Sequence, residues 1–163
     1  MSESSTLNDH IAIAHAIQEV ARAFDEKLHS ELLPKFFAEN ASILYRLRGQ
    51  RIDFSMPNGP GKFKYFHDLC YWTQHLVSPH VLSIDGDSAR ARTPVHALHL
   101  QIRNDGSHNQ WVIGAVYHDD LVRSSGQWQI KKRVALCPYV EGDLLTEGVK
   151  SFSTLPNLDS DEI

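Results

Sequence analysis

The 163-residue chain contains no run of about 18 apolar residues, so none of its segments is expected to cross a bilayer as a helix. Its first ten residues, MSESSTLNDH, have neither a basic start nor an apolar stretch and do not read as a signal peptide. Two cysteines, Cys70 and Cys137, are too few for a disulfide framework, and no cysteine pair has zinc spacing. A reduced, cytoplasmic setting is therefore expected. Positive charge is scarce as well. Of 16 bases and 20 acids in all, one and six fall in residues 141–163, which leaves 15 and 14 in the body. A near-neutral body lacks the basic field that holds phosphates, which argues against a nucleic-acid partner. There is no Gly-x-Gly-x-x-Gly, no phosphate-cradling loop, and no nucleophile elbow around Ser78 or Ser83.

What remains is an ordinary globular composition, 42% hydrophobic and 22% charged, with ten histidines as its unusual feature. The length suits one domain, with a core over about residues 8–140 and an acidic, irregular tail over 141–163. Ile13, Ile17, Val20, Ala21, Phe24 and Leu28 recur at helical spacing, with Asn8 as a candidate N-cap. Ser30 is placed to cap a short second helix carrying Leu32, Leu33, Phe36 and Phe37. Ala41–Leu47 reads as a strand. Gly49, Pro57, Gly59, Pro60 and Gly61 mark residues 49–61 as a loop, and Phe63, Phe66, Leu69 and Cys70 suggest a third helix. Four β-like runs follow, roughly 75–84, 88–103, 109–123 and 127–137. They are broken at Asp85-Gly86, Asn104-Asp105-Gly106 and Ser124-Ser125-Gly126, each suited to a hairpin. Helices first and strands later give an α+β fold. A curved antiparallel sheet with three helices packed on one face would enclose a pocket.

Three stretches carry a family resemblance: AFDEKLHSELLPKFFAENASILY (residues 23–45), TQHLVSPHVLSIDGDSARA (73–91) and GAVYHDDLVRSSGQWQIKKRVALCPY (114–139). Together they resemble the SnoaL-like branch of the nuclear transport factor 2-like superfamily. The resemblance implies a cone-shaped, cystatin-like α+β barrel. It also implies a small lyase or isomerase, like the dehydratases, dehydrochlorinases and polyketide cyclases of that branch, working on an apolar carbonyl-bearing ring compound without a cofactor. In the eliminating enzymes a His–Asp pair on the cavity wall removes a carbon-bound proton. Asp25 and His75 match that pair, and Arg133 matches an arginine that reaches into the pocket. Two positions depart from the pattern: Val20 stands where bile-acid dehydratases carry a tyrosine, and Pro79-His80 where many relatives have asparagine. The run TQHLVS is also similar to the β subunits of ring-hydroxylating dioxygenases, so a non-catalytic partner subunit stays open, as does a small-ligand carrier.

The residues themselves sharpen these expectations. A carboxylate bonded to one imidazole nitrogen fixes the tautomer and leaves the other nitrogen as a base, so Asp25 and His75 together make a catalytic pair. Strand alternation puts Trp111, Ile113, Ala115 and Tyr117 on one face. The same rule puts Lys131, Arg133, Ala135 and Cys137 together, opposite Trp128, Ile130 and Lys132. If these faces line the hollow, Arg133 and Tyr117 stabilise an oxyanion there, with Tyr45, Trp111 and Ile113 as further substrate contacts. Against the pair stands the bland reading of a solvated helix-end carboxylate and a core-edge histidine. A metal is not expected. His118 and Asp120 share a strand face, but the resemblance implies that their positions belong to the outer sheet surface or a subunit contact, and His96 and His99 point opposite ways. An apolar outer sheet face implies a homo-oligomer, dimer or trimer.

Overall fold

A computed structural model describes residues 3–78 and 80–157, and side chains from residue 6 onward. Pro79 and the tail acids Asp159, Asp161 and Glu162 lie outside the described residues.

The chain opens with α1 (Glu3–Asp25) and α2 (His29–Phe36), continues through β1 (Phe37–Leu47) and β2 (Gln50–Ser55), and returns to helix in α3 (Gly59–Asp68). Then come β3 (Trp72–Val77), β4 (Val81–Asp85), β5 (Ser88–Ile102), β6 (His108–Ser124) and β7 (Gln127–Gly142). The strands form one sheet in the order β2-β1-β7-β6-β5-β3, with β4 also paired to β5. The α+β architecture is as expected, with one correction: β1 runs parallel to β7, so the sheet is mixed. Every predicted hairpin is antiparallel, but no turn signal bears on how β1 meets β7 across some ninety residues of chain. That pairing forms because α2 returns the chain to the free edge of β7.

Other boundaries moved for local reasons. The helix α1 begins five residues before Asn8, so Asn8 is an interior residue and not a cap. Likewise α2 starts at His29 behind Leu28, with no side-chain cap from Ser30. Residues 49–61 are not all loop. Arg48 and Gly49, at φ 48° and 78°, turn the chain into β2, an edge strand too polar to signal itself. The run 75–84 splits into β3 and β4. The hairpin breaks fall as expected, with Gly86, Gly106, Ser125 and Gly126 all at positive φ.

Two irregularities in β7 decide which side chains face inward. Between Asp120↔Lys132 and Leu121↔Ile130 the β7 strand carries one extra residue, Lys131, and between Gly114↔Tyr139 and Val116↔Leu136 it carries another. The first bulge corrects the strict alternation. Trp128, Ile130, Arg133, Ala135 and Cys137 are all buried, while Lys131 and Lys132 are both exposed. Bulges also bend the strand, which helps the long sheet curl around a hollow.

One core lies between the helices and the sheet, with Ile13, Ile17, Val20 and Phe24 of α1 packed on Leu33, Phe37, Leu121 and Ile130. Buried Asp9 ties α1 to the sheet by accepting from Arg123 Nη2 at 2.7 Å and Trp128 Nε1 at 3.1 Å. The tail is ordered beyond Gly142. Lys150 N donates to Ile102 O at 2.8 Å and Phe152 N to Asp68 O at 2.6 Å.

A candidate active site in the cone

A cavity of about 420 Å3 opens between the helices and the concave face of the sheet. One wall is aromatic and aliphatic: Trp111, Ile113, Ala115 and Tyr117 of β6, with Val95 and Ala97 of β5. The alternation read for β6 therefore holds. Tyr45 of β1, edge-on to Tyr117 with 6.5 Å between ring centroids, and Phe63 and Phe66 of α3 complete the lining. Leu144 and Thr146 of the tail reach the lining as well, so the first part of the tail belongs to the cavity rim. At that rim Arg48 Nη1 pairs with Asp143 Oδ1 at 2.5 Å.

The polar end is built where α1 stops against β3. Thr73 Oγ1 donates to Phe24 O at 3.2 Å and fixes the last turn of α1 over the strand. Asp25, the final helical residue, then meets His75 from both sides. Its Oδ2 accepts from the His75 backbone N–H at 2.9 Å and its Oδ1 from His75 Nδ1 at 2.7 Å. A carboxylate has no proton to give here, so Nδ1 carries the hydrogen and Nε2 keeps its lone pair. His75 lines the cavity, whereas Asp25 approaches from behind and does not.

Arg133 requires a correction. It is buried, but it does not line the cavity. Its Nε and Nη2 each donate at 2.7 Å to the two oxygens of Asp119, and its guanidinium lies 4.2 Å above the Tyr117 ring. Asp119 pairs with Arg133 across β6 and β7, so register alone aims the arginine at its neighbour. Asp119 is buried, while His118 is exposed and Asp120 partly so, in keeping with the strand face that His118 and Asp120 share. Of the two oxyanion groups expected, Tyr117 remains at the wall, with Tyr45, expected as a further substrate contact, beside it. Burial pushes the Tyr117 hydroxyl up to about 12 and Tyr45 upward as well, so both stay protonated donors.

Sequence reasoning missed three histidines. His67 of α3 and His99 of β5 line the same cavity, and a ligand nitrogen from each comes within 4.8 Å of the others and of one from His75. Behind them, buried His29 of α2 places Nε2 2.7 Å from His67 Nδ1. Phe24 packs against His29, His67 and His75, at ring-centroid distances of 6.2, 5.0 and 5.3 Å. Desolvation pushes His29 down to about 4 and His99 to about 3, and holds His67 well below its ordinary value. Lys27 positions His67 from outside, its Nζ donating to His67 O at 2.5 Å and Cys70 O at 2.9 Å at the end of α3. The only sequence signal for these residues was the histidine count, because α3, β5 and β3 are separate segments that meet only in the fold.

The two thiols stay protonated at neutral pH. Burial lifts Cys70 to about 12 and Cys137 to about 11.

A helix-roofed, curved sheet around an apolar cavity with an aspartate-held imidazole in its wall defines a class of small cone-shaped α+β proteins. The chain belongs to the SnoaL-like domain family, whose model matches residues 5–134. Solved structures agree on the fold. The Kfla4162 protein from Kribbella flavida superposes with a TM-score of 0.76 at 20% identity, covering 83% of this chain and 95% of its own. A putative scytalone dehydratase from Novosphingobium aromaticivorans gives 0.75 at 17% identity, covering 92% and 97%. A hexachlorocyclohexane dehydrochlorinase from Novosphingobium barchaimii gives 0.67 at 17% identity, covering 87% and 94%. Among curated proteins none matches the chain.

Proposed function

We propose that this protein is a small lyase-type enzyme that acts on an apolar, carbonyl-bearing ring compound by proton abstraction, with His75 as general base. One observation carries the reading: Asp25 holds both the backbone N–H and Nδ1 of His75, so Nε2 stands as a fixed acceptor in the wall of an apolar cavity. In the reaction, Nε2 takes the hydrogen from the carbon next to the carbonyl. The C–H electron pair forms a carbon–carbon double bond and the carbonyl π pair moves onto the oxygen, which accepts hydrogen bonds from Tyr117 and Tyr45. Expulsion of a β-hydroxyl or other leaving group restores the carbonyl and forms the double bond, and the imidazolium returns its proton to the departing group. Asp25 stabilises the imidazolium through Nδ1. The names of the dehydratase and dehydrochlorinase relatives support elimination as the reaction type.

The test uses cyclic ketones in deuterated buffer, with exchange next to the carbonyl followed by NMR. His75→Ala is expected to lose exchange while ligand-observed NMR still detects binding. Asp25→Asn should slow exchange roughly 100–10,000-fold, the range a positioned proton-transfer group supplies. Exchange at the native rate in His75→Ala would disprove the mechanism.

A further inference from the structure

We propose that His67, His75 and His99 form a three-imidazole binding site for one divalent transition-metal ion of the zinc class in the cavity wall. The three come from α3, β3 and β5, and each offers a ligand nitrogen within 4.8 Å of the other two. In every case Nδ1 is already engaged: with Asp25 Oδ1 at 2.7 Å for His75, with the Trp111 carbonyl at 3.3 Å for His99, and with His29 Nε2 at 2.7 Å for His67. The nitrogen each ring has left to offer is therefore Nε2. In His75 and His99 the Nδ1 partner is an acceptor, which puts the hydrogen on Nδ1 and a lone pair on Nε2. Two lone pairs directed at one small space repel each other, and a cation or a hydrogen-bond donor relieves that repulsion.

The outer partners are those that metal-ligating histidines use. A carboxylate, a backbone carbonyl and a second imidazole fix the ring orientations and raise ligand basicity. The rings of His67 and His99 are parallel, with 5.9 Å between centroids, and His75 meets both edge-on. Tetrahedral zinc with bonds of 2.0–2.1 Å needs its nitrogens about 3.3 Å apart, so the rings draw together and re-aim on binding. An all-imidazole set selects zinc, cobalt, nickel or copper over magnesium and calcium, which want oxygen. The expected metal-free reading was drawn from His118 and Asp120 and from His96 and His99 facing opposite ways; His99 instead meets His67 and His75, which come from other segments.

The site does not depend on the lyase reading, but it constrains it. A metal and a proton compete for the same lone pair on His75, so a filled site stops proton abstraction. The experiment takes untagged protein freed of metal with a chelator and titrates it with Co2+, read by visible absorption. One equivalent per chain should produce the intense d–d bands of four-coordinate cobalt, and Zn2+ should abolish them. His99→Gln and His75→Gln, each shown folded by circular dichroism, should weaken binding by more than the roughly 10–100-fold that loss of an outer-shell partner costs. Asp25→Asn should fall within that range, and His118→Ala should bind as the wild type does. Absent bands, or cobalt bound by both glutamine variants as tightly as by the wild type, would overturn the proposal. Deuterium exchange run in parallel separates the two readings. Exchange in chelator without cobalt binding leaves the lyase reading alone, and cobalt binding without exchange leaves the metal site alone.

Discussion

Asp25 and Arg133 are both charged side chains on the approach to one cavity, yet they do different work. Asp25 is a quarter exposed and engages a ring whose far nitrogen faces the hollow. Arg133 is sealed in, spent on Asp119 and stacked behind Tyr117. Its guanidinium lies 4.2 Å from the centroid of that tyrosine's ring. Arg133→Ala leaves Asp119 charged and buried without its partner, which typically costs about 3–5 kcal/mol. Urea unfolding is the measurement. The paired change Arg133→Met with Asp119→Leu should recover most of that loss, because an apolar pair needs no desolvation. A double variant as unstable as the single one would show that charge, not packing, is needed there.

At the level of elements, Gln101 governs how the tail joins the cavity. Fully buried on β5, it donates from Nε2 to Leu69 O and Leu145 O, while Oε1 accepts from Leu145 N and Asn109 Nδ2. Four hydrogen bonds from one side chain thus connect β5, the end of α3, β6 and the strap after β7. Gln101→Leu leaves buried amide and carbonyl groups without partners, at about 1–3 kcal/mol each. The strap carrying Leu144 and Thr146 should loosen before the rest of the molecule. Hydrogen exchange is expected to rise at Leu145 and Lys150 while the amides of β6 keep their protection. Uniform loss of protection would contradict this division. Gly142, where β7 gives way to the strap, has φ 71° and no room for a Cβ, which would sit 2.1 Å from Gln110 O.

For the molecule as a whole, the interior histidines set a pH dependence. His29 and His99 fall from 6.5 to about 4 and about 3 on folding, so the unfolded chain binds more protons than the native one below pH 6.5. Stability is therefore fully present above about pH 6.5 and is lost as pH falls toward 3. The loss should reach a few kcal/mol, since each tenfold drop in proton affinity on folding corresponds to about 1.4 kcal/mol. Thermal unfolding measured from pH 7.5 to 4 should show a falling Tm, and His99→Gln should flatten the slope. A Tm independent of pH over that range would mean that these imidazoles do not stay neutral in the folded protein.

The sequence by itself determined what depends on near neighbours: the hydrophobic face of α1, the hairpins at Gly86, Gly106 and Gly126, and the shared face of Trp111, Ile113 and Tyr117. It also located Asp25 and His75, because the run around each resembles a family in which they meet. Only the tertiary structure decided what depends on register and on segments far apart in the chain. A single extra residue at Lys131 turned Arg133 to the same side as Trp128 and Ile130, where Asp119 claims it, and no pattern with a period of two reports an insertion. Likewise His29, His67 and His99 are unremarkable on α2, α3 and β5. They become chemistry only because a curled sheet brings them to one wall, where the apolar surroundings remove the water that would have kept their ordinary proton affinity.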